Sequence, residues 1–317
     1  MQADQVIKAS FSLNGDVKQF EKYIRTIAGF FVIEATVMTA TQDFRSRSSV
    51  EALWDVATNK MGQHMVDSLR ECSKPEMFLE MKISINSFIQ TMQMYGYAGL
   101  HLNDLLFTLL DRFGELARSQ YGEYMRNIIA DEEISGNGTF CPMEVGDNDA
   151  LTVAQESLTI PSELISSARV NPYKPFPFNF PFSSGVPAIC AEAKHLILHF
   201  YRFSNGFIQQ SNEIDDLLKK ILENVLVETV NGLYREKLAT AGLNVAIQLM
   251  INSQWLAYAC DDFEILLHEE RYTQRSGRLL TQAPLAFEET QAVAEKRIFA
   301  VINAKIDTFL EVIDYAW

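Results

Sequence analysis

Long apolar runs are missing from this chain. No stretch approaches the ~18 continuous apolar residues that a membrane span requires, so no transmembrane segment is expected. The start, Met1-Gln-Ala-Asp4, has neither the basic flank nor the apolar run of a signal peptide, so a cytoplasmic protein is expected. Cysteine is scarce as well. The four, at 72, 141, 190 and 260, are far apart and form no CxxC pair, so they read as reduced thiols and not as a disulfide or zinc framework. Positive charge is in deficit, with 27 Lys and Arg against 41 Asp and Glu and a formal net charge of −14, which argues against a long contact with nucleic acid or an anionic membrane. Period-two alternation, Gly-rich phosphate loops and a GxSxG elbow are also absent, which removes sheet and the commonest signatures of phosphate chemistry and nucleophilic catalysis.

What is present is helical period. Of the 317 residues 48% are hydrophobic, enough for a substantial core. Lys18 to about Thr41 carries Tyr23, Ile27, Phe30, Phe31 and Met38. Ser48 and Glu51 have capping-box spacing before Val50, Leu53, Trp54, Ala57, Met61, Met65 and Leu69. A second such box, Ser73 and Glu76 around Pro75, precedes Phe78, Met81, Ile85, Phe88 and Met92, and Gly96 and Gly99 end that helix. The next begins at Asn103 or Asp104, with Leu105, Leu106, Leu109, Phe113, Leu116, Tyr124 and Ile128 as its buried side. Later helices are expected over 188–209, 213–239, 243–272 and 287–317, the clearest stripe being Ile214, Leu217, Leu218, Ile221, Val225 and Leu233. At about 1.5 Å per residue, ~25 residues span roughly 38 Å, which favours an elongated bundle.

Proline is concentrated. Seven of nine prolines fall between Pro142 and Pro187. Pro172 to Phe182 reads Pro-Tyr-Lys-Pro-Phe-Pro-Phe-Asn-Phe-Pro-Phe, a sequence that cannot be helical, because each proline lacks an amide donor and disfavours helix in its predecessor. Phenylalanines this dense are costly to hydrate, so an extended strap lying in a groove of the helices is expected. The fold class is therefore all-α: an elongated rod of stacked antiparallel helical bundles with a Pro/Phe-rich extended connection. Its expected parts are an N-terminal bundle over 1–134, a linker and strap over 135–186, and a C-terminal bundle over 187–317 that is truncated at its end.

The search for chemistry returns little. His195 and His199 are four apart on one helical face, the spacing that lets two imidazoles grip one metal, but Leu196 stands where a metalloprotease helix has its glutamate, and a third ligand would have to come from His268 or Glu192. Ordinary boundary histidines are the better reading. Asp261, Asp262, Glu264, Glu269 and Glu270 form the densest acidic region; around a helix they diverge, so a solvated or interaction face is expected in place of a carboxylate pair. Arg271, Arg275 and Arg278 share one loop. Asn137-Gly-Thr139 matches a glycosylation sequon but reads as a polar turn. Met61, Met65, Met81, Met92 and Met94 follow helical spacing and read as core filler, as do Trp54 and Trp255; Trp317 is left to a following partner. No catalytic, cofactor-binding or metal-binding residue is assigned, and no partner-binding residue is named.

The last stretch, Ala294–Trp317, is amphipathic, with Ile298, Ile302, Ile306, Phe309 and Ile313 on one face that needs a partner. With its Lys296-Arg-Ile-Phe299 run and terminal Asp-Tyr-Ala-Trp, it resembles a segment of the exocyst subunit of the Sec-fifteen family. So do Arg25–Glu34 (Arg-Thr-Ile-Ala-Gly-Phe-Phe-Val-Ile-Glu), Asp104-Leu-Leu-Phe107, Phe180–Pro187, Asn212–Leu218 and Leu249–Ser253, in the family's order. The long Pro/Phe connection resembles fungal members in style.

The resemblance implies a non-catalytic scaffold subunit of the eight-subunit exocyst, which tethers secretory vesicles to the plasma membrane before fusion. It implies binding to other exocyst subunits and to a GTP-bound secretory Rab GTPase and, in fungi, links to a Rab exchange factor and a class V myosin. Localisation would be cytoplasmic, with peripheral association at vesicles and sites of exocytosis, and no cofactor is implied. Family members carry an N-terminal coiled coil before the position of Met1 and a further bundle after Trp317. The alternative reading is a helical regulator, exchange-factor-like, of a small GTPase; a metal-dependent enzyme at His195 and His199 is the rival of another class.

Overall fold

The computed structural model describes residues 17–41, 46–70, 72, 75–97, 100–135, 140–167, 176–207, 211–271 and 277–314. The helices are α1 (Val17–Ala40), α2 (Arg47–Arg70), α3 (Pro75–Met94), α4 (Leu100–Ser135), α5 (Asn148–Ser157), α6 (Ser162–Ser167), α7 (Gly185–Ser204), α8 (Ser211–Asn224), a π-helical stretch (Val225–Asn231), α9 (Gly232–Thr240), α10 (Leu243–Glu270) and α11 (Gln282–Asp314). Extended pairing is confined, among the described residues, to two two-residue strands, β1 (Glu144–Val145) and β2 (Phe178–Asn179), antiparallel with Glu144 opposite Asn179. The chain is all-α, and it forms two compact units, 1–116 and 117–317.

The first unit is built on an aromatic cluster. Trp54 of α2 lies 4.9 Å from the Phe31 ring of α1, 6.0 Å from Phe88 of α3 and 4.9 Å from Tyr97, and the Tyr97 hydroxyl donates to the Phe31 carbonyl at 2.9 Å. Around it Phe20, Met61, Met65, Phe78, Met81 and Met92 are buried, whereas Met94, counted in the sequence as core, is 84% exposed at the end of α3. Helix α2 begins two residues before the expected box: Ser46 accepts from the Ser49 amide at 3.3 Å and Arg47 pairs with Glu51 at 3.0 Å. At its other end Arg112 donates to the carbonyls of Leu69 and Arg70, both at 3.0 Å, and so satisfies two of the last carbonyls of the helix. Among the described residues α1 alone is long and apolar enough, by length and composition, to cross a membrane. Its Phe20, Tyr23, Ile24, Ile27, Phe30 and Phe31 are nevertheless buried in this unit's core. The second capping box falls partly outside the described residues, as do Pro172–Pro175, Asn137–Thr139, Arg275 and Trp317.

In the second unit α10 and α11 run antiparallel and pack along much of their length, with α7 on α10 and α9 and the π stretch against α11. Two carboxylates tie the α10–α11 connection down. Glu264 accepts from the amides of Leu279 and Leu280 at 2.6 and 2.9 Å, and Glu223, from α8, accepts from those of Thr281 and Gln282 at 2.8 and 2.9 Å. Glu223 thus caps α11 from another helix. Glu223→Ala is expected to lower the stability of this unit by about 1–2 kcal/mol, read as a lower urea midpoint at unchanged slope.

The described part of the strap, from Phe176, lies on the helices as expected. Phe180 and Phe182 are fully buried and stack at 5.1 Å, and Phe182 meets the half-buried Trp255 edge-on at 4.9 Å. Met143 holds the strap's backbone from the side, donating to the Phe182 carbonyl at 2.8 Å and accepting from the Phe180 amide at 2.9 Å. From α10, Gln248 donates to the Pro181 carbonyl at 2.7 Å, while Asn252 accepts from the Ser183 amide at 3.0 Å and donates to its hydroxyl at 2.6 Å. These side chains replace the sheet partners that an extended segment otherwise needs.

Two stripes differ from expectation by one residue. In α4 the buried side continues as Ala117, Tyr121, Met125 and Ile129, and Tyr124 is 42% exposed. After the π stretch Tyr234 is fully buried, while Leu233, the expected core position, is half-buried.

Candidate functional site

The histidine pair lies on α7, on the wall of a cavity of about 740 Å³ shared with Tyr121 of α4 and Glu270 of α10. His195 is exposed and sits 3.8 Å from Glu192; His199 is half-buried, with its Nδ1 3.3 Å from the Tyr121 hydroxyl. Burial and the neighbouring Arg202 hold the His199 pKa below its ordinary value, so the ring is neutral at pH 7. Burial, reinforced by the charge of Glu192, pushes Tyr121 up to about 12. His268 is exposed on α10, and among the described residues no group of three His, Cys, Asp or Glu converges on a point that could hold a metal. The arrangement is that of a helix-packing contact with a polar rim.

The acidic region is also resolved into anchors. Asp262 accepts from the Thr159 amide at 2.8 Å, Asp261 is paired with Arg278, and Glu264 holds Leu279 and Leu280 as described; Glu269 and Glu270 remain exposed. The carboxylates point to different loops, and no two of them share a substrate-sized space as a general acid and base require. Of the arginines assigned to one loop, Arg278 is used in that ion pair and Arg271 is half-buried.

A site that the sequence did not reveal lies where the strap enters α7. Glu132, 8% exposed, accepts from the Gly185 amide through Oε1 at 3.1 Å, while Oε2 is buried without a hydrogen-bond partner. Burial pushes the Glu132 carboxyl above its usual range. Gly185 is the reason the carboxylate fits, because a Cβ there would collide with it. The cleft alongside, of about 580 Å³, is lined by Asp131, Glu132, Cys141, Glu144, Ser184 and Gly185, among others. The signal was present in the sequence as Asp131-Glu-Glu133 and as the glycine after the strap, but nothing in either run says that they meet.

Three of the four thiols are buried and Cys141 is exposed. Burial, with Asp261 next, pushes Cys260 up to about 12, and burial raises Cys190 strongly too. Native protein treated with a maleimide at pH 8 is therefore expected to gain one label, at Cys141, and four after denaturation, as read by intact mass.

The remaining surface of note is the end of α11. Arg297 donates to the Ala241 carbonyl at 2.9 Å, next to the start of α10, and the helix continues to Asp314. That is about 25 Å further at 1.5 Å per residue. All of residues 303–311 are exposed, including Ile306 (50%), Phe309 (64%) and Leu310 (53%), with Phe299 (65%) just before them. Phe299, Ile302, Ile306 and Phe309 step by three, four and three, the spacing of a helix–helix seam.

Fold and surfaces together define an all-helical bundle protein in which, among the sequence's candidates for chemistry, Asp262 and Glu264 anchor neighbouring loops and His199 lies in a helix-packing contact. The Exocyst complex subunit Sec15 C-terminal family matches residues 101–317, and the chain belongs to that family. It is similar to Exocyst complex component 6 of Mus musculus, at 28% identity over an alignment of 327 positions that takes in 100% of this chain and 38% of that protein. It is likewise similar to Exocyst complex component 6B of Homo sapiens, at 28% over 325 positions, 100% of this chain and 38% of that protein. Exocyst complex component 6 of Drosophila melanogaster matches at 28% over 321 positions, 100% of this chain and 40% of that protein. The chain thus spans about two fifths of the length of the curated relatives it matches. No solved structure matches.

Proposed function

We propose that the chain is a non-catalytic scaffold portion of an exocyst subunit acting in exocytosis, binding other exocyst subunits and serving as effector of a GTP-bound secretory Rab GTPase. It would work in the cytoplasm, gathered at vesicles and plasma-membrane sites by those partners, with a Rab exchange factor and a class V myosin as further contacts in fungi. Family membership supports the exocyst assignment. The structural observation that carries a binding role is the exposed seam on α11, because four large apolar side chains on one bare helical segment are costly in water and are the usual material of helix–helix recognition. Effector action needs no bond chemistry: loops ordered by GTP complete a surface on the Rab, and the scaffold binds that state in preference to the GDP form.

The test is binding of the chain to a panel of secretory Rab proteins loaded with GDP or a non-hydrolysable GTP analogue, together with capture of purified exocyst subunits. Selective binding of one GTP-loaded Rab with unchanged nucleotide release is the expected result. Accelerated release would replace the effector reading with an exchange factor, and failure to bind any Rab or exocyst subunit would sink the proposal. Phe299→Ser with Phe309→Ser is expected to weaken subunit capture at least tenfold while moving stability by no more than about 0.5 kcal/mol, since both rings are exposed.

A further inference from the structure

We propose that the cleft floored by Glu132 and rimmed by Asp131 and Glu144 receives the guanidinium of an arginine presented by a partner protein. The inference is independent of the Rab-effector reading. It starts from a carboxylate that is out of place. Glu132 is more than nine-tenths buried, one of its oxygens has no hydrogen-bond partner, and among the described residues no cation is paired with it. Buried carboxylates elsewhere in proteins carry a counter-charge or a full set of donors, because desolvating the ion otherwise costs several kcal/mol. Here the Gly185 amide and the Ser183 hydroxyl, both on the strap side, supply only part of that set.

The surroundings select the missing cation. Asp131 and Glu144 are exposed on the same cleft, so three acidic residues line one space of about 580 Å³. They do not converge on a point, which is why they fail as a metal site, and a spread set of acceptors suits a planar group with five N–H donors. Ile128 and Met143 give the cleft an apolar side against which an arginine's aliphatic stem can lie. Burial has raised the Glu132 carboxyl, as expected of an acid whose cation is supplied only in a complex.

Cys141 makes the proposal measurable, since this exposed thiol lines the same cleft while the other three are buried. The rate of Cys141 modification by a neutral maleimide is followed on the whole chain with increasing concentrations of two capped pentapeptides, one carrying arginine at its centre and one carrying citrulline, its uncharged isostere. The arginine peptide is expected to slow labelling at least threefold and the citrulline peptide to leave it unchanged, with the slowing lost in Glu132→Gln. Should that variant not fold, Glu144→Gln, on the exposed rim, is expected to weaken the protection by a similar factor. Equal slowing by both peptides, slowing that survives both substitutions, or no slowing at all would overturn the assignment; the last would mean that Glu132 is satisfied by a proton alone.

Discussion

Phe182→Ala is expected to destabilise the second unit by about 3–5 kcal/mol, the range for removing a fully buried aromatic. The ring has no exposed surface, stacks on Phe180 and meets Trp255 edge-on, so its loss opens a cavity between the strap and α10. The backbone bonds that hold the strap do not use the ring: Met143 still donates to the carbonyl of residue 182, and Asn252 still holds Ser183. The loss is therefore one of packing, and Phe182→Leu should recover more than half of it. Against a typical domain stability of about 5–15 kcal/mol, the alanine variant approaches the limit of folding. Urea unfolding followed by near-ultraviolet circular dichroism would measure it. A loss below about 1 kcal/mol would mean that the strap is a covering and not part of the core.

Gly185→Ala should cost about 2–4 kcal/mol, against the direction that helix propensity gives. Gly185 opens α7 and does not have positive φ, so alanine should by itself favour the helix by up to about 1 kcal/mol. The new methyl group, however, would occupy the place of the Glu132 carboxylate. The acid must move, losing the Gly185 amide bond in a buried setting, and overpacking of about 1–3 kcal/mol adds to a charge-assisted bond of comparable size. Combining the change with Glu132→Ala removes the clash. The double variant should then be more stable than the sum of the two single losses by at least about 1 kcal/mol, which a double-mutant cycle reads directly.

The sequence was most legible where one side chain chemistry repeats at one spacing. Val50, Leu53, Trp54, Ala57, Met61, Met65 and Leu69 were read as one face of α2, and all but the half-buried Leu53 are buried as one face. Phe180 and Phe182 were legible for another reason: prolines forbid helix, and phenylalanine resists water, so an extended, covered strap follows without knowing where it lies. Tyr121 and Tyr234 were not legible, because tyrosine fits core and rim equally, and because Ala117 in α4 is too small to mark a stripe. Glu132 was not legible for a different reason. Its role depends on Gly185, 53 positions away, and local pattern contains no information about that meeting. The acidic region of α10 was legible as charge but not as anchoring, since Asp262 and Glu264 find their donors in loops whose approach only the packed structure fixes.

The π-helical turns at Val225–Asn231 also bear on how a gene for this protein can change. Bonding from i to i+5 lets a helix absorb a surplus residue while the turns on either side keep their faces. Loss of a single codon within the stretch would therefore return it to regular α-helix with Tyr234 and Leu238 still in the interior they now occupy, whereas the same loss in the regular turns of α10 would rotate everything after it by about 100° and carry Phe263 and Leu267 out. Within the stretch it is substitution that is constrained, since Val225, Leu226, Thr229, Val230 and Asn231 are all buried.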